Sequence, residues 1–239
     1  MTDVNIRYFD QKETLVSAAT TFLADTLSEA LDQRGRASLM LSGGSSPEPI
    51  YRALAQAPLA WKGIGISLVD ERWVPSGHSA SNADFIKNCL ADSPAAGSHF
   101  VPLYNGHTTA EEGLEAATQA LASIAQPFDL CVLGMGLDGH TASWFPNSQG
   151  LESALDPNNS DILGAVDASG CEGAGTNPER MTLTLSAVMA ARTSVLLLTS
   201  AEKTDVFLQA LEKSEHEAPV KALTRLGHKL TIFAVETQS

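Results

Sequence analysis

Phe128-Asp-Leu-Cys-Val-Leu133 runs straight into Gly134-Met-Gly-Leu-Asp-Gly-His-Thr-Ala-Ser-Trp-Phe-Pro146, which sets an apolar run against a glycine-rich turn carrying an acid and an imidazole. The apolar run reads as a buried strand. Gly134, Gly136 and Gly139 let the backbone behind it take positive φ and approach a ligand without a Cβ in the way. Asp138 and His140 therefore fall where a strand ends and a loop begins, the edge at which open α/β sheets collect their ligands. The same letters satisfy G-x-G-x-x-G, but that dinucleotide pattern opens a helix whose N-terminus faces a pyrophosphate. Here Pro146 and Asn147-Ser-Gln-Gly150 interrupt the chain within a few residues, and the turn lies past the middle of the sequence rather than in a first βαβ unit. We read no nicotinamide site.

Outward from this stretch, strands and helices alternate. Leu15, Val16, Ala19, Phe22, Leu23, Leu27, Ala30 and Leu31 recur at helical spacing over residues 12 to 33, with Gly35 as the stop. Ala37 to Leu41 reads as a short buried strand ending in Ser42-Gly-Gly-Ser-Ser-Pro47, with a helix through Ile50, Tyr51 and Leu54 behind it. Ile64 to Val69 is a second strand, running into Asp70-Glu-Arg-Trp-Val-Pro75, and Ser81-Asn-Ala-Asp84 opens a capped helix through Phe85, Ile86 and Leu90. Thr109 to Ala125 is helical in period and leads to the run at Phe128. Ser194 to Thr199 and Lys229 to Val235 are further strands, with helical patterns at Glu202 to Leu211 and Pro219 to Leu226. Pro157 to Asn177, rich in Asp, Asn and Gly, reads as loop. The alternation implies an α/β fold in three layers, a mainly parallel sheet flanked by helices on both faces. No linker or internal repeat divides the 239 residues, so one domain over 1–239 is expected.

Hydrophobic content of 44% and charged content of 18% are those of a soluble globular protein. No apolar run reaches the ~18 residues of a membrane span, and Met-Thr-Asp-Val-Asn-Ile-Arg at the N-terminus lacks the basic and apolar regions of a secretory signal. A cytoplasmic location without a membrane partner is expected. Cys89, Cys131 and Cys171 form no C-x-x-C pair for a metal or a redox disulfide and read as reduced. Twenty-eight acidic against fifteen basic residues give a net charge of −13, which repels a phosphate backbone and argues against nucleic acid as a partner. A small anion still binds where scarce cations converge, which makes individual Arg and Lys positions informative.

Four polar clusters stand at strand ends in this reading. In Ser42-Gly-Gly-Ser-Ser-Pro47, Gly43 and Gly44 expose backbone amides, Ser45 and Ser46 add hydroxyls, and the following helix directs its positive end at the loop, a set of donors that suits a phosphate. A strand-to-helix turn with a Ser cap and Pro47 in the first turn has the same letters. No Gly-Lys-Ser/Thr follows, so it is not a P-loop. Asp70-Glu71-Arg72 offers a planar guanidinium for an anion, beside acids that hold it or bind hydroxyls. Arg180 enters an alternating strand, and Lys203 starts a helix, an end that disfavours a cation unless an anion is near. His140 alone among the six histidines has such a setting; His78, His99, His107, His216 and His228 lack acidic or cysteine partners at metal spacing and receive no role. An imidazole titrates near ~6.5 and takes a proton from water at neutral pH. With no G-x-S-x-G elbow or Ser-His-Asp order, what remains is a metal-free proton-transfer site beside a phosphate-binding loop.

Taken in order, Leu41-Ser-Gly-Gly-Ser-Ser-Pro, Asp70-Glu-Arg-Trp-Val-Pro, Ser81-Asn82, the Gly134 to Pro146 motif, Arg180-Met-Thr-Leu-Thr and Lys203 closely resemble the 6-phosphogluconolactonase family. That family lies in the sugar-phosphate isomerase-like superfamily, with a modified doubly wound fold, which also holds glucosamine-6-phosphate deaminase; Thr-Ala-Ser after the His favours the lactonase. The resemblance implies hydrolysis of 6-phospho-D-glucono-1,5-lactone to 6-phosphogluconate in the oxidative pentose phosphate pathway, without metal or organic cofactor. In that reading His140 is the general base, Asp138 orients it or the water, Arg72 meets the developing oxyanion or the substrate, and Asp70 contacts sugar hydroxyls. Gly43, Gly44, Ser45, Arg180 and Lys203 hold the 6-phosphate. A deaminase or isomerase, or a non-catalytic sugar-phosphate sensor, is the alternative; a sensor would need an appended DNA-binding element, and none is present. Trp144 stands where the family commonly has a smaller aliphatic residue, which would narrow the pocket entrance, and Ser200 replaces a frequent glycine.

Overall fold

The computed structural model describes residues 4–237, so the two ends of the expected 1–239 domain lie outside the described residues. In chain order the elements are β1 (Asn5–Phe9), α1 (Lys12–Arg34), β2 (Ala37–Leu41), α2 (Glu48–Ala55), β3 (Ile64–Leu68), β4 (Asp70–Arg72), α3 (Asn82–Leu90), β5 (His99–Phe100) and α4 (Ala110–Leu121). They continue with β6 (Leu130–Leu133), α5 (Leu151–Leu155), β7 (Leu163–Asp167), β8 (Glu179–Leu183), α6 (Leu185–Ala190), β9 (Thr193–Leu198), α7 (Ala201–Ala210) and β10 (Leu230–Val235). The apolar stripe of α1 buries Leu15, Ala19, Leu23, Leu27 and Ala30, and Gly35 ends the helix at φ 68°, a left-handed stop that costs glycine little.

Seven strands form one sheet in the order β1-β10-β9-β6-β2-β3-β5, every neighbouring pair parallel. Strands β2 and β6 are buried along their whole length, and β9 and β10 along all but one residue each. Both faces of these strands are therefore covered, which is why they appear in the sequence as unbroken apolar runs rather than as alternation.

A second, antiparallel sheet of β4, β8 and β7 was not expected. Asp70–Arg72 is part of it, rather than a loop after a strand, with Arg72 directly opposite Arg180. Val69 joins the sheets: its amide donates to Leu41 at 2.9 Å and its carbonyl accepts from Leu183 at 2.8 Å. Within 157–177, read as loop, Leu163–Asp167 is a strand whose pairing with β8 supplies the order that its own short, glycine-containing run does not signal. The helix expected up to Ala125 ends at Leu121, and Pro219–Lys229 forms 3₁₀ turns broken at Gly227 instead of an α-helix.

The sheet order also locates a site. From β2 the chain adds β3 and β5 on one side, then returns with β6 on the other. The carboxyl ends of β2 and β6 are thus a topological switch point, where the loops leaving adjacent strands open a crevice. Those two loops are Ser42–Pro47 and Gly134–Pro146, and the Ser42 amide still donates to Val132 O at 3.1 Å as they part.

Candidate active site

A cavity of about 250 Å³ opens at the switch point, lined by Gly43, Gly44, Ser45, Asp70, Arg72, His140, Arg180 and Lys203 among others. Eight of the nine residues expected at the site thus meet around one space. The ninth, Asp138, stands behind His140.

The acid and the imidazole are brought together by a closed turn. Gly139 N donates to Gly136 O at 3.0 Å, Gly136 N to His140 O at 2.9 Å, and Thr141 Oγ1 to Gly134 O at 2.7 Å. Asp138 and His140 consequently face each other, with His140 Nδ1 2.5 Å from Asp138 Oδ1. Gly136 must be glycine, since a Cβ there would fall inside both the imidazole and the carboxylate. Phe145 stacks on the His140 ring, centroids 4.2 Å apart. Burial pushes the Asp138 carboxyl up, but the hydrogen bond and charge of His140, with the nearby amides, outweigh it and hold the group below its usual value. An ionised carboxylate only accepts, so Nδ1 carries a proton toward it, and in the neutral ring Nε2 is the nitrogen with the lone pair.

In the same lining, the loop amides of Gly43, Gly44, Ser45 and Ser46 donate no hydrogen bond among the described residues. Lys203 Nζ reaches this loop and donates to Ser46 Oγ at 2.9 Å. Ser200, the substitute for a frequent glycine, caps α7 by accepting from the Lys203 amide at 3.3 Å and so fixes where the lysine begins. Burial, and then Lys12, pull the Lys203 pKa below that of a free amine. The desolvated ammonium gains much from an anion.

Asp70 Oδ2 accepts from Ser143 Oγ at 2.6 Å, and Asn82 Nδ2 donates to Asp70 O at 2.9 Å. Asn82 also packs where a Cβ on Gly43 would be, tying the acid to the Gly43–Ser46 loop. Glu71, fully buried, accepts from the amides of Arg72, Asn82 and Ala83 at 2.7–2.8 Å and fastens β4 to α3, so that Asp70 and Arg72 on either side keep their places. Burial pushes the Glu71 carboxyl up to about 7 against the pull of those amides. Arg72 Nη1 donates to Ala80 O at 2.7 Å. Arg180 is 3% exposed; Nε and Nη2 are bonded to Asn177 O and Ala174 O at 2.8 and 2.7 Å, leaving Nη1, which lies 4.0 Å from Asp70 Oδ2. Burial draws its pKa down to about 10, so it is still a cation at neutral pH.

Trp144 does not narrow the entrance. It is fully buried and donates to Leu183 O at 2.8 Å, because the tight turn from Thr141 to Trp144 carries the indole into the core. Ser143, Asn82 and Phe145 received no role from the sequence, and Glu71 only that of holding Arg72 or binding hydroxyls. All four lie inside quoted motifs; what was missing was the partner, such as Asp70 for Ser143, 73 residues away.

Among the described residues, no three His, Cys, Asp or Glu side chains converge to hold a metal ion, and no helix is long and apolar enough to cross a membrane. Residues 10–232 match the family described as glucosamine-6-phosphate isomerases/6-phosphogluconolactonase. A 6-phosphogluconolactonase of Rhizobium meliloti is 38% identical over 222 residues, 92% of this chain and 94% of the relative. One of Pseudomonas aeruginosa is 38% identical over 204 residues, 85% and 84% of the two chains. The crystal structure of a 6-phosphogluconolactonase from Shewanella baltica aligns over 100% of both chains with a TM-score of 0.87 and 34% identity. A monomeric glucosamine-6-phosphate deaminase shares the fold at a TM-score of 0.76 and 18% identity. With a family match over nearly its whole length and lactonase relatives at this identity, the chain belongs to the glucosamine-6-phosphate isomerase/6-phosphogluconolactonase family, as an enzyme of its lactonase branch.

Proposed function

We propose that the chain hydrolyses 6-phospho-D-glucono-1,5-lactone to 6-phospho-D-gluconate, the second step of the oxidative pentose phosphate pathway, in the cytoplasm and without a metal. The observation that carries the reading is the paired Asp138 and His140 at a cavity that is also lined by the Gly43–Ser46 loop, with its unbonded amides, and by the partly buried Lys203. An anion held on that loop leaves the rest of a sugar-sized molecule extending toward the imidazole. The lactonase names of the relatives agree with it.

His140 Nε2 takes a proton from water as the water oxygen adds to the lactone carbonyl carbon. The tetrahedral oxyanion forms beside Arg72, a cation that stabilises it. When the ring C–O bond breaks, the imidazolium returns its proton to the departing ring oxygen, and the new carboxylic acid ionises in water. Throughout, Asp138 holds the ring orientation and stabilises the imidazolium. Asp70, fixed by Ser143, accepts from sugar hydroxyls. Gly43, Gly44, Ser45, Arg180 and Lys203 hold the phosphate. The test is acid release from freshly generated 6-phosphogluconolactone against the spontaneous rate; a rate equal to the uncatalysed one refutes the reading.

A further inference from the structure

The segment between β7 and β8, Ala168 to Asn177, closes over the Asp138–His140 pair as a strap, and three side-chain facts show how it is seated. Ala168 and Ala174 pack with Phe145 in a small buried cluster, and Phe145 in turn stacks on His140. Arg180 lies 5.1 Å from the Phe145 ring centroid and donates to the carbonyls of Ala174 and Asn177. Gly173, at φ 79°, brings bare backbone to the pair: a Cβ there would lie 2.9 Å from Asp138 Oδ2 and 3.4 Å from His140 Cε1. Asp138 Oδ2 is buried and has no hydrogen-bond partner among the described residues, on a side chain only 7% exposed.

A carboxylate oxygen left without donors costs free energy, so its persistence needs a reason. The strap supplies one. Water at Oδ2 would draw charge away from Oδ1 and screen the carboxylate from the imidazolium that forms in the reaction; a dry Oδ2 leaves Oδ1 as the carboxylate's one strong contact, in surroundings of low polarisability where that contact is strongest.

We propose that Gly173 and Arg180 are positioning residues for the reaction: Arg180 fastens the strap, and the strap, through Gly173, keeps water off Asp138 so that the carboxylate acts on His140 alone. The assignment rests on the reading of His140 as the base. It gives Arg180 a task besides substrate contact, and it gives a residue from a loop without sequence signal a place beside the reacting groups. Gly173 is required there both for its left-handed backbone and for its missing side chain. Gly170 has the same φ of 79° but nothing within 4 Å of a built Cβ, which makes it the matched control.

The experiment compares Gly173→Ala with Gly170→Ala in the whole protein. Both impose an alanine on left-handed backbone, so strain is common to them and only contact with the pair differs. Gly173→Ala is expected to lower kcat by about 10- to 100-fold, the scale of an ångström-level misplacement at a reacting centre. Its KM should stay within about threefold, while Gly170→Ala keeps both within about twofold of the parent. The second readout is the imidazole Nδ1–H proton resonance of His140, observed without substrate. It should be present and slow to exchange in the parent, and shifted or lost to exchange in Gly173→Ala only. Equal kcat values for the two variants overturn the proposal, and so does a fallen kcat with an unchanged Nδ1–H signal. If Gly173→Ala does not fold, the parent decides alone: rapid exchange of its Nδ1–H with solvent overturns the proposal, slow exchange supports it. Because the resonance is read without turnover, a failure of His140 as the base would appear as an active His140→Ala and remain distinguishable.

Discussion

His140 Nδ1 and Asp138 Oδ1 stand 2.5 Å apart although only one residue separates them, because the Gly136–His140 turn closes on itself and points both side chains to one side. So short a loop holds the pair with little freedom to lose, and the pair is available to chemistry before substrate arrives. His140→Ala should keep the fold and lower turnover by roughly 10²–10⁴-fold, the usual share of a positioned acid/base group. Steady-state rates on purified variant with an unchanged circular dichroism spectrum check this; turnover within a few-fold of the parent removes His140 from the mechanism.

Asp138 also leaves a mark on stability. Its carboxyl titrates below the ordinary value in the folded chain, so its contribution is complete above the usual carboxylate range near ~3.9 and is lost as pH falls through the lowered folded value. Asp138→Asn carries no such titration. Melting temperature against pH should therefore fall more steeply for the parent than for the variant below pH ~4. The same variant should lose about 10²-fold or more in kcat at neutral pH, since a neutral amide does not stabilise an imidazolium.

Exhaustive chelation should leave turnover unchanged. The Asp138 and His140 pair offers too few donors for a zinc site, where three protein ligands are the least that catalytic sites use. Rates before and after dialysis against EDTA test it. A loss restored by a divalent ion means that a metal takes part.

How much of this was legible depends on what each residue answers to. Strands β2, β6, β9 and β10 are buried on both faces, and their apolar runs announce it. Strand β1 escaped notice because it is a half-exposed edge, and β4 because its letters, Asp-Glu-Arg, are all charged: Asp70 and Arg72 line the cavity, and Glu71 is buried on the amides of α3. Asp138, His140 and the Gly43 loop were readable because glycine and charge are compressed into short stretches. The strap was not: the acceptors that Arg180 uses are main-chain carbonyls, which every residue has, and Gly173 lies among glycines whose letters do not tell a free turn from a close approach.

At the amino ends of the central strands, Asp129 at the entry to β6 is 3% exposed and binds Arg34 at 2.6 Å, Arg192 at 3.2 Å and the Ser38 amide at 2.9 Å. It clamps β2 to β6 from below while the site opens above. Asp129→Ala leaves the Ser38 amide unpaired, whereas both arginines can turn to water, so the expected loss is about 2–3 kcal/mol, below that of a fully buried pair. Denaturant unfolding measures it, and kcat of the folded variant should match the parent. A large fall in kcat would show that strain at the amino ends of β2 and β6 reaches the switch point.

Lys203 gives the sharpest test of where the phosphate sits. A protein of net charge −13 repels an anion over most of its surface, so affinity has to come from local donors, and Lys203 is a partly buried cation whose contact is the hydroxyl of Ser46 in the amide loop. Charge-assisted bonds to phosphate contribute about 1.5–3 kcal/mol each, so Lys203→Ala should lower kcat/KM for the phosphorylated lactone by roughly 10- to 150-fold. Unphosphorylated gluconolactone should be a poor substrate for the parent and indifferent to the change, because the lost interaction is absent from it. Arg180→Ala should behave differently. It loses a phosphate donor and also releases the carbonyls of Ala174 and Asn177, so turnover of both lactones should fall, the phosphorylated one further. Measuring kcat/KM for the two lactones across parent and both variants separates these roles. If Lys203→Ala reduces both substrates equally, the lysine supports the fold or the chemistry, and the phosphate binds elsewhere.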